Sequence, residues 1–422
     1  ELSGQQVVEP LSQDGFLVAC NARSQPRQHG QRQGHHQQQQ NDGFTAHRQE
    51  SAPVKSSSRL STSGDRIARD FYESGSQLTH RCLGCTDRQT HWKIRSVDHS
   101  GEPFMQAVYL SGREVEFRED HPEPEPDSHE VIVRVVRAGI CETDLQLMQG
   151  YMGFAGVLGH EFVGIAESGP LAGTRVVGEI NCSCFECDTC RSGLPTHCPN
   201  RSVIGILNHD GAFAERIAMP EKNLHAVPDS MSTDVAVFVE PVAAAFQILR
   251  QQLVRPGQSV VVLGDGRLGN LCAQVLNGFG CRVLAVGKHT QKLAVLDRMG
   301  IETTLIGDAH PNRDVDVVVD CTGSPTGLPA ALQFVRPWGT VILKTTVAGE
   351  QTLALAPIVI DEVSVVGSRC GPFPDAIAAL ASGQVLVEPL ISGRYPLREG
   401  VEALLTTASQ PVLKVLLDVG DS

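Results

Sequence analysis

The sequence lacks the long apolar runs that membrane spans and secretory signals require. No stretch of about 18 apolar residues occurs, so we expect no membrane helix. Basic residues are also in short supply, since 35 Lys and Arg stand against 48 Asp and Glu and give a net charge of −13. Because an acidic surface repels nucleic-acid phosphates, we expect a small-molecule substrate and no nucleic-acid partner. We also expect a cytoplasmic protein with no membrane partner.

Methionine is absent from the first 104 residues, and the first one is Met105. This segment is rich in Gln, Ser, Arg and His, and such a composition buries too little apolar surface to fold, so we expect disorder. We interpret residues 1–104 as translated upstream sequence and Met105 as the native start. An organelle transit peptide is the alternative, which the Arg and Ser content favours and the acidic residues disfavour.

The rest of the chain, residues 105–422, changes its periodicity twice. Residues 105–238 are strand-like, with a clear alternation over residues 130–136. Residues 239–382 begin with an Ala-rich helical stretch and then alternate strands with helices, which predicts a parallel, doubly wound sheet. Residues 383–422 return to short strands that we expect to rejoin the first domain. The predicted fold class is therefore α/β, with a β-rich domain beside a dinucleotide-binding domain.

Cysteines crowd into a short segment whose spacing is typical of a metal site. Cys184, Cys187, Cys190 and Cys198 can close a tetrahedral shell around zinc, which leaves no open position and makes the site structural. The absence of an apolar signal segment favours metal binding in a reducing compartment. Buried or disulfide-bonded cysteines are the alternative.

A glycine-rich turn follows the predicted strand at residues 259–263. Gly264, Gly266 and Gly269 have the spacing that lets a backbone approach a pyrophosphate, with Leu268 at the start of the next helix. Asp265 within the turn is unusual for an anion site unless its side chain points away from the phosphates. The turn predicts a dinucleotide site.

The end of the next strand indicates which dinucleotide binds. An NAD site normally has an acid there for the ribose 2′-hydroxyl, but this sequence has Gly287, followed by Lys288, His289 and Lys292. The missing acid and the added cations favour NADP over NAD. A solvated cationic turn with NAD as cofactor is the alternative.

Several motifs together resemble one family. The cysteine spacing, residues 139–144 (Gly-Ile-Cys-Glu-Thr-Asp), residues 159–161 (Gly-His-Glu) and the glycine turn resemble the zinc-containing medium-chain dehydrogenase/reductase family, which includes alcohol, sorbitol and threonine dehydrogenases. The resemblance covers residues 105–422. It implies a GroES-like catalytic domain beside a Rossmann domain, two zinc ions per chain, an alcohol or carbonyl substrate, and a homo-oligomer, either a dimer or a tetramer.

The resemblance also implies a catalytic zinc. Cys141 and His160 match the family's ligands, and Glu240 before Pro241 matches the third ligand of the sorbitol dehydrogenase pattern. Glu161 is implied as an alternative or a fourth ligand, a position that water can also fill. Without the resemblance, Glu240 could instead be an acid that favours a helix N-terminus.

Further residues are implied to support the reaction. Thr143 matches the family's proton-relay hydroxyl, and Asp144 is expected to orient His160. An ordinary loop threonine and a turn-capping aspartate are the alternatives. Additional cofactor contacts are expected at Gly323, Arg369 and Lys414.

The expected reaction is hydride transfer between an alcohol and NAD(P), with zinc polarising the alcohol oxygen. Two alternatives stay open: a zinc-poor quinone or enoyl reductase of the same superfamily, and a non-enzymatic structural or stress protein that binds NADP. Only 18 residues separate Cys141 from His160, which is short for the family. Tyr151, Met152 and Phe154 in this loop line the substrate pocket or belong to the core.

Overall fold

The structure of the protein is a computed structural model that describes residues 103–346 and 352–420. Disorder is predicted for residues 1–104, and residues 1–102 of this segment lie outside the described part. Within that part, no helix is long and apolar enough to cross a membrane.

The secondary structure consists of strands and helices in the following order. The strands are β1 Phe104–Ser111, β2 Glu114–Pro122, β3 Glu130–Gly139, β4 Gly156–Val157, β5 Phe162–Ala166, β6 Arg175–Gly178, β7 Asn181–Cys182, β8 Ser202–Val203, β9 Arg216–Pro220, β10 Leu224–Ala226, β11 Ser259–Leu263, β12 Arg282–Gly287, β13 Glu302–Leu305, β14 Val315–Asp320, β15 Val335–Leu343, β16 Ser364–Gly367, β17 Ile391–Pro396 and β18 Lys414–Asp418. The helices are α1 Glu142–Met148, α2 Asp188–Arg191, α3 Thr233–Ala236, α4 Val239–Arg250, α5 Arg267–Gly278, α6 Thr290–Asp297, α7 Gly327–Phe334, α8 Ala356–Ile360, α9 Phe373–Ala381 and α10 Gly400–Ser409.

The first domain is built on a seven-stranded, mostly antiparallel sheet. Its order is β10-β6-β5-β3-β18-β17, with β9 also paired to β3. Strand β3 alternates as predicted, because Val131, Val133 and Val135 are buried while the residues between them are partly exposed. A second sheet, β2-β1-β4, packs against it. These sheets form the β-rich domain of the predicted fold class.

The second domain is a six-stranded parallel sheet of order β13-β12-β11-β14-β15-β16. The central strands β11 and β14 are runs of valine because helices cover both of their faces. The strand order reverses between β11 and β14, which is the point where parallel sheets bind ligands. The predicted α/β fold with a doubly wound sheet is therefore confirmed.

The end of the chain returns to the first domain. Strand β18 runs antiparallel to β3 and parallel to β17, so that Leu416 lies opposite Gly139. This pairing brings Lys414 next to the loop that follows β3. The return therefore contributes directly to the site described below.

Candidate metal centres and cofactor site

Three donor side chains meet where β3 and β5 approach each other. Cys141 follows β3 and precedes α1, while His160 and Glu161 directly precede β5. One ligand atom from each lies within 4.8 Å of the others. His160 and Glu161 are buried and Cys141 is partly buried. Thiolate, imidazole and carboxylate are donors that zinc accepts, so this set fits a zinc ion.

The protonation of Cys141 suits a metal ligand. Burial by itself raises the pKa of the thiol, but the charge and hydrogen bond of His160, together with the charge of Arg267, outweigh burial and lower the pKa to about 6. The sulfur is therefore a thiolate at neutral pH, which is the form that binds metals.

Asp144, the third residue of α1, contacts both Cys141 and His160. Its Oδ2 accepts the backbone N–H of Cys141 at 2.8 Å, and its Oδ1 lies 3.3 Å from Nδ1 of His160. Burial lowers the pKa of His160, but the charges of Asp144 and Cys141 outweigh burial and raise it well above its usual value. The structure thus places Asp144 both as a cap of α1 and as a partner of His160.

Glu161 also contacts a buried cation. The side chain of Lys414 is fully buried, forms an ion pair with Glu161 and donates to the carbonyl of Ile140 at 3.3 Å. A Cβ at Gly139 would lie 2.7 Å from Cε of Lys414, so glycine makes room for the cation. Lys414, a predicted cofactor contact, instead has its ammonium beside the metal centre.

Glu240 lies outside the group of three clustered donors. It is in the first turn of α4, and the charges of His160 and Cys141 act on its carboxyl. Burial, and secondarily the thiolate of Cys141, raise the pKa of Glu240 to about 7, although His160 acts in the opposite direction. A bound cation would favour the ionised carboxylate.

Thr143 is partly buried, and its Oγ1 lies 3.8 Å from Sγ of Cys141.

The four spaced cysteines form a second cluster around α2. Their sulfur atoms all lie within 4.8 Å of one another, with 3.5 Å between Cys198 and Cys184 and 3.8 Å between Cys198 and Cys187. All the described cysteines are free. Backbone N–H groups of Glu186 and Cys187 lower the pKa of Cys184 to about 6. Four sulfur donors this close together can surround one zinc ion and leave no open position, so the cluster fits a structural zinc.

The glycine turn lies between β11 and α5. Gly264 has φ +111°, and a Cβ there would lie 2.6 Å from the carbonyl oxygen of Cys321. A Cβ at Gly269 would lie 1.9 Å from the carbonyl oxygen of Gly264. Nothing lies within 4 Å of a Cβ built on Gly266, so the turn is open on that side. An open glycine turn at the N-terminus of a helix fits a dinucleotide pyrophosphate.

Comparison with known proteins identifies the family. The model described as "Alcohol dehydrogenase GroES-like domain" matches residues 127–229, and the model described as "Zinc-binding dehydrogenase" matches residues 268–382. "Probable D-xylulose reductase A" from Neosartorya fischeri is 30% identical over 330 residues, which cover 71% of this chain and 92% of that protein. The chain belongs to the zinc-dependent medium-chain dehydrogenase/reductase family.

Two further similarities agree with this membership. The protein named "Sorbitol dehydrogenase" from Halalkalibacterium halodurans is 29% identical over 324 residues, which cover 71% of this chain and 94% of that protein. The crystal structure of alcohol dehydrogenase TADH from Thermus sp. ATN1 matches with a TM-score of 0.68 and 28% identity and covers 75% of this chain and 100% of that one. The chain is thus an oxidoreductase of the alcohol dehydrogenase type, which acts on CH–OH donors with zinc and a nicotinamide cofactor.

The remaining predicted cofactor contacts of this dehydrogenase lie in several places. Leu268 is in the first turn of α5, and Gly323, with φ +62°, follows β14 and donates its N–H to Oγ1 of Thr345. The guanidinium of Arg369 donates to the carbonyl of Thr196, two residues before Cys198, at 2.7 Å.

The positions at the end of β12 lie beside a cavity. Gly287 is buried, while Lys288 and His289 are exposed. A cavity of about 300 Å³ is lined by His289, Lys292 and their neighbours at the start of α6. Two of the predicted cations, His289 and Lys292, therefore line the cavity, whereas Lys288 does not.

The sequence did not single out Arg267, and it named Asp265 without indicating its partner. Arg267, the first residue of α5, donates to the carbonyl of Leu413 at 2.9 Å and lowers the pKa of Cys141. The carboxylate of Asp265 accepts the backbone N–H groups of Lys288 and His289, which directly follow β12. A charged residue inside the Gly-x-Gly spacing was the available signal, but its partner is more than 20 positions away in the sequence.

Proposed function

We propose that this dehydrogenase interconverts a polyol and its ketose, with NADP as its cofactor. The cluster of Cys141, His160 and Glu161 carries the proposal, because it places sulfur, nitrogen and oxygen donors within 4.8 Å of one another. The relatives named D-xylulose reductase and sorbitol dehydrogenase support a polyol as the substrate class.

Cys141 and His160 would hold the catalytic zinc, with a carboxylate as the third protein ligand. When bound, zinc would act as a Lewis acid and lower the pKa of a substrate hydroxyl. Asp144 keeps the imidazole of His160 in one orientation through its contact of 3.3 Å with Nδ1. A thiolate and a carboxylate together balance the charge of a divalent cation.

Thr143 would carry the substrate proton towards solvent. Its hydroxyl lies 3.8 Å from Sγ of Cys141 and is partly exposed, so it borders both the metal centre and water. When bound, the nicotinamide would supply the hydride acceptor of the reaction. The glycine turn and the N-terminus of α5 would hold the pyrophosphate at the switch point of the parallel sheet.

The identity of the third ligand is part of the proposal. Glu161 is already within the donor cluster, and the charges of the same centre act on Glu240 in α4. We assign Glu161 as a ligand and keep Glu240 as the residue that faces the open position or replaces Glu161. Glu161→Gln should then lower the zinc affinity of the catalytic site more than Glu240→Gln does. The reverse order would make Glu240 the principal ligand.

A second zinc would occupy the four-cysteine cluster. The sulfur separations of 3.5 and 3.8 Å support this, because one ion at the centre can reach all four sulfurs. Since no position would stay open for substrate, this zinc would stabilise the loop around α2 and would not take part in the reaction.

NADP is the proposed cofactor because of the charges at the end of β12. Lys288 and His289 are exposed there, Lys292 lines the adjacent cavity, and Gly287 replaces the acid that would bind a ribose hydroxyl. A 2′-phosphate carries close to two negative charges, so it gains more from these cations than a hydroxyl does.

A homo-oligomer is proposed from the exposed apolar surface of the parallel sheet. Strand β16 is the edge strand of this sheet, and it contains no charged residue. The same domain exposes three large apolar residues to solvent. They are Trp338, Val359 and Ile360, with exposed fractions of 74%, 72% and 78%. Light scattering after gel filtration should give a mass of at least two chains, whereas a monomer would remove this part of the proposal.

A substrate panel tests the proposed function. Polyols, amino alcohols and simple alcohols should be offered to the purified zinc-loaded protein with NADP+ or NAD+. Reduction of NADP+ by a polyol, lost on zinc chelation and regained on adding zinc, is the expected result. Turnover that survives complete removal of zinc would contradict the proposed function.

A further inference from the structure

Asp265 lies in the glycine turn but acts on the neighbouring strand. Its side chain is buried, and Oδ2 accepts the backbone N–H groups of Lys288 at 2.7 Å and His289 at 2.6 Å. Nδ1 of His289 lies 3.0 Å from the same oxygen and 3.2 Å from Oδ1. The carboxylate is thus bound to the two residues that follow β12.

The carboxylate of Asp265 is ionised in this environment. Burial by itself raises the pKa of Asp265, but the N–H groups of Lys288 and His289 and the ring of His289 outweigh burial and lower the pKa below its usual value. Since its hydrogen bonds go to the protein, the carboxylate has little capacity left for a ligand.

Gly287 shows why the usual acid is missing. A Cβ at Gly287 would lie 2.5 Å from Cβ of Asp265 and 2.6 Å from its Oδ2, which is closer than real Cβ contacts allow. The backbone of Gly287 is not in the left-handed region, so the requirement for glycine is one of space. The place where a strand-end acid would sit is therefore filled from the glycine turn.

We propose that Asp265 is the positioning residue that makes the adenosine-ribose subsite select a 2′-phosphate. It holds the turn of Lys288 and His289 in one conformation, with the side chain of Lys288 exposed and the ring of His289 held beside the carboxylate. It also excludes an acid from position 287, so that no free carboxylate is left for a ribose 2′-hydroxyl. This inference deepens the proposed function, because it rests on a dinucleotide site at the end of β12.

The close approach of Gly287 and Asp265 predicts that adding the acid of NAD sites at position 287 will not by itself change the cofactor preference. Gly287→Asp, which would add the acid typical of NAD sites, should abolish binding at this subsite because its side chain collides with Asp265. Combining it with Asp265→Ala removes the collision and frees the space. The double variant should therefore bind a ribose with a free 2′-hydroxyl.

The test uses two fragments that occupy this subsite alone, 2′,5′-ADP and 5′-AMP, with binding measured by calorimetry on the zinc-loaded protein. The wild type should bind 2′,5′-ADP about tenfold or more tightly than 5′-AMP, as charge-assisted bonds to a phosphate predict. Asp265→Asn should reduce this ratio severalfold, and Asp265→Ala should reduce it further. The double variant should reverse the preference.

Asp308→Asn is the matched control, because it makes the same change at an exposed aspartate beyond β13. It should leave the ratio unchanged, and circular dichroism should confirm that every variant is folded. Gly287→Asp acting alone as a switch to 5′-AMP, or an unchanged ratio in Asp265→Ala, would overturn the proposal. A wild type that binds NAD and 5′-AMP more tightly would also overturn it while leaving the dehydrogenase intact. Failure to bind either dinucleotide would instead refute the proposed function.

Discussion

At the scale of single residues, the catalytic cluster depends on side chains that do not contact the substrate. Asp144 caps α1 through the N–H of Cys141 and faces His160 across 3.3 Å. Its position is fixed by the first turn of the helix, so one residue orients both a sulfur and an imidazole ligand. Such partners of metal ligands raise metal affinity without touching the ion.

Asp144→Asn should therefore weaken zinc binding at the catalytic site. The amide keeps the shape but cannot accept from both partners, and loss of such a partner lowers metal affinity by about 10- to 100-fold. Competition with a chromophoric chelator measures this directly. Asp188→Asn, an exposed aspartate in α2, is the control and should leave the catalytic zinc unaffected. Unchanged affinity in Asp144→Asn would show that Asp144 only caps the helix.

The pKa values at this centre predict how many protons zinc displaces. Because His160 and Arg267 hold the pKa of Cys141 at about 6, the thiol has already lost its proton at pH 7. The raised pKa of His160 means that the imidazole still carries its extra proton. In the Glu240→Gln background, which removes the carboxyl whose pKa is about 7, zinc binding at pH 7 should thus release about one proton, from His160.

Calorimetry of zinc binding in buffers of different ionisation enthalpy measures the proton count. Subtracting the signal of Cys141→Ala isolates the catalytic site from the cysteine cluster. As pH rises through the pKa of His160, the release should fall towards zero. Release of two protons at pH 7 would mean that the thiol is protonated, contrary to the prediction.

At the scale of elements, strand β18 places a cation in the catalytic domain. Lys414 is fully buried against Glu161 and the carbonyl of Ile140. Burial lowers the pKa of Lys414 to about 8, although the charges of Cys141 and Asp144 favour the charged form. The last strand therefore links the end of the chain to the metal centre.

Lys414→Met should destabilise the protein by about 3–5 kcal/mol, because it leaves Glu161 buried without its partner. Chemical denaturation with the catalytic zinc removed measures this change, because bound zinc would itself pair with Glu161. Adding Glu161→Gln should recover part of the loss, since it removes the unpaired charge. Lys222→Met, at an exposed lysine, should cost at most about 1 kcal/mol. A loss equally small in Lys414→Met would contradict a stabilising ion pair.

The elements themselves were largely predictable from the sequence, but their long-range contacts were not. The strand predicted at residues 259–263 is β11, Ser259–Leu263, and the helix predicted to start near Leu268 is α5, Arg267–Gly278. Strand β13, Glu302–Leu305, was not predicted, because a partly exposed edge strand has no apolar run. The pairing of Lys414 with Glu161 joins distant segments, and local periodicity contains no information about it.

At the scale of the whole molecule, one chain contains two kinds of donor cluster, to which the proposed function gives separate tasks. The GroES-like domain contains both donor clusters, and the parallel sheet beside it contains the glycine turn. The open cluster of Cys141, His160 and Glu161 can leave a position for substrate, whereas the four-sulfur cluster is closed. The proposed reaction therefore depends on a zinc ion at the open cluster.

Zinc content, measured by elemental analysis together with turnover, is the most direct test. The wild type should contain about two zinc ions per chain and Cys141→Ala about one, with turnover abolished. Cys182→Ala changes a cysteine outside both clusters and should keep both ions. If Cys141→Ala keeps the wild-type zinc content and activity, or if the wild type contains zinc only in the four-cysteine cluster, the central claim is wrong.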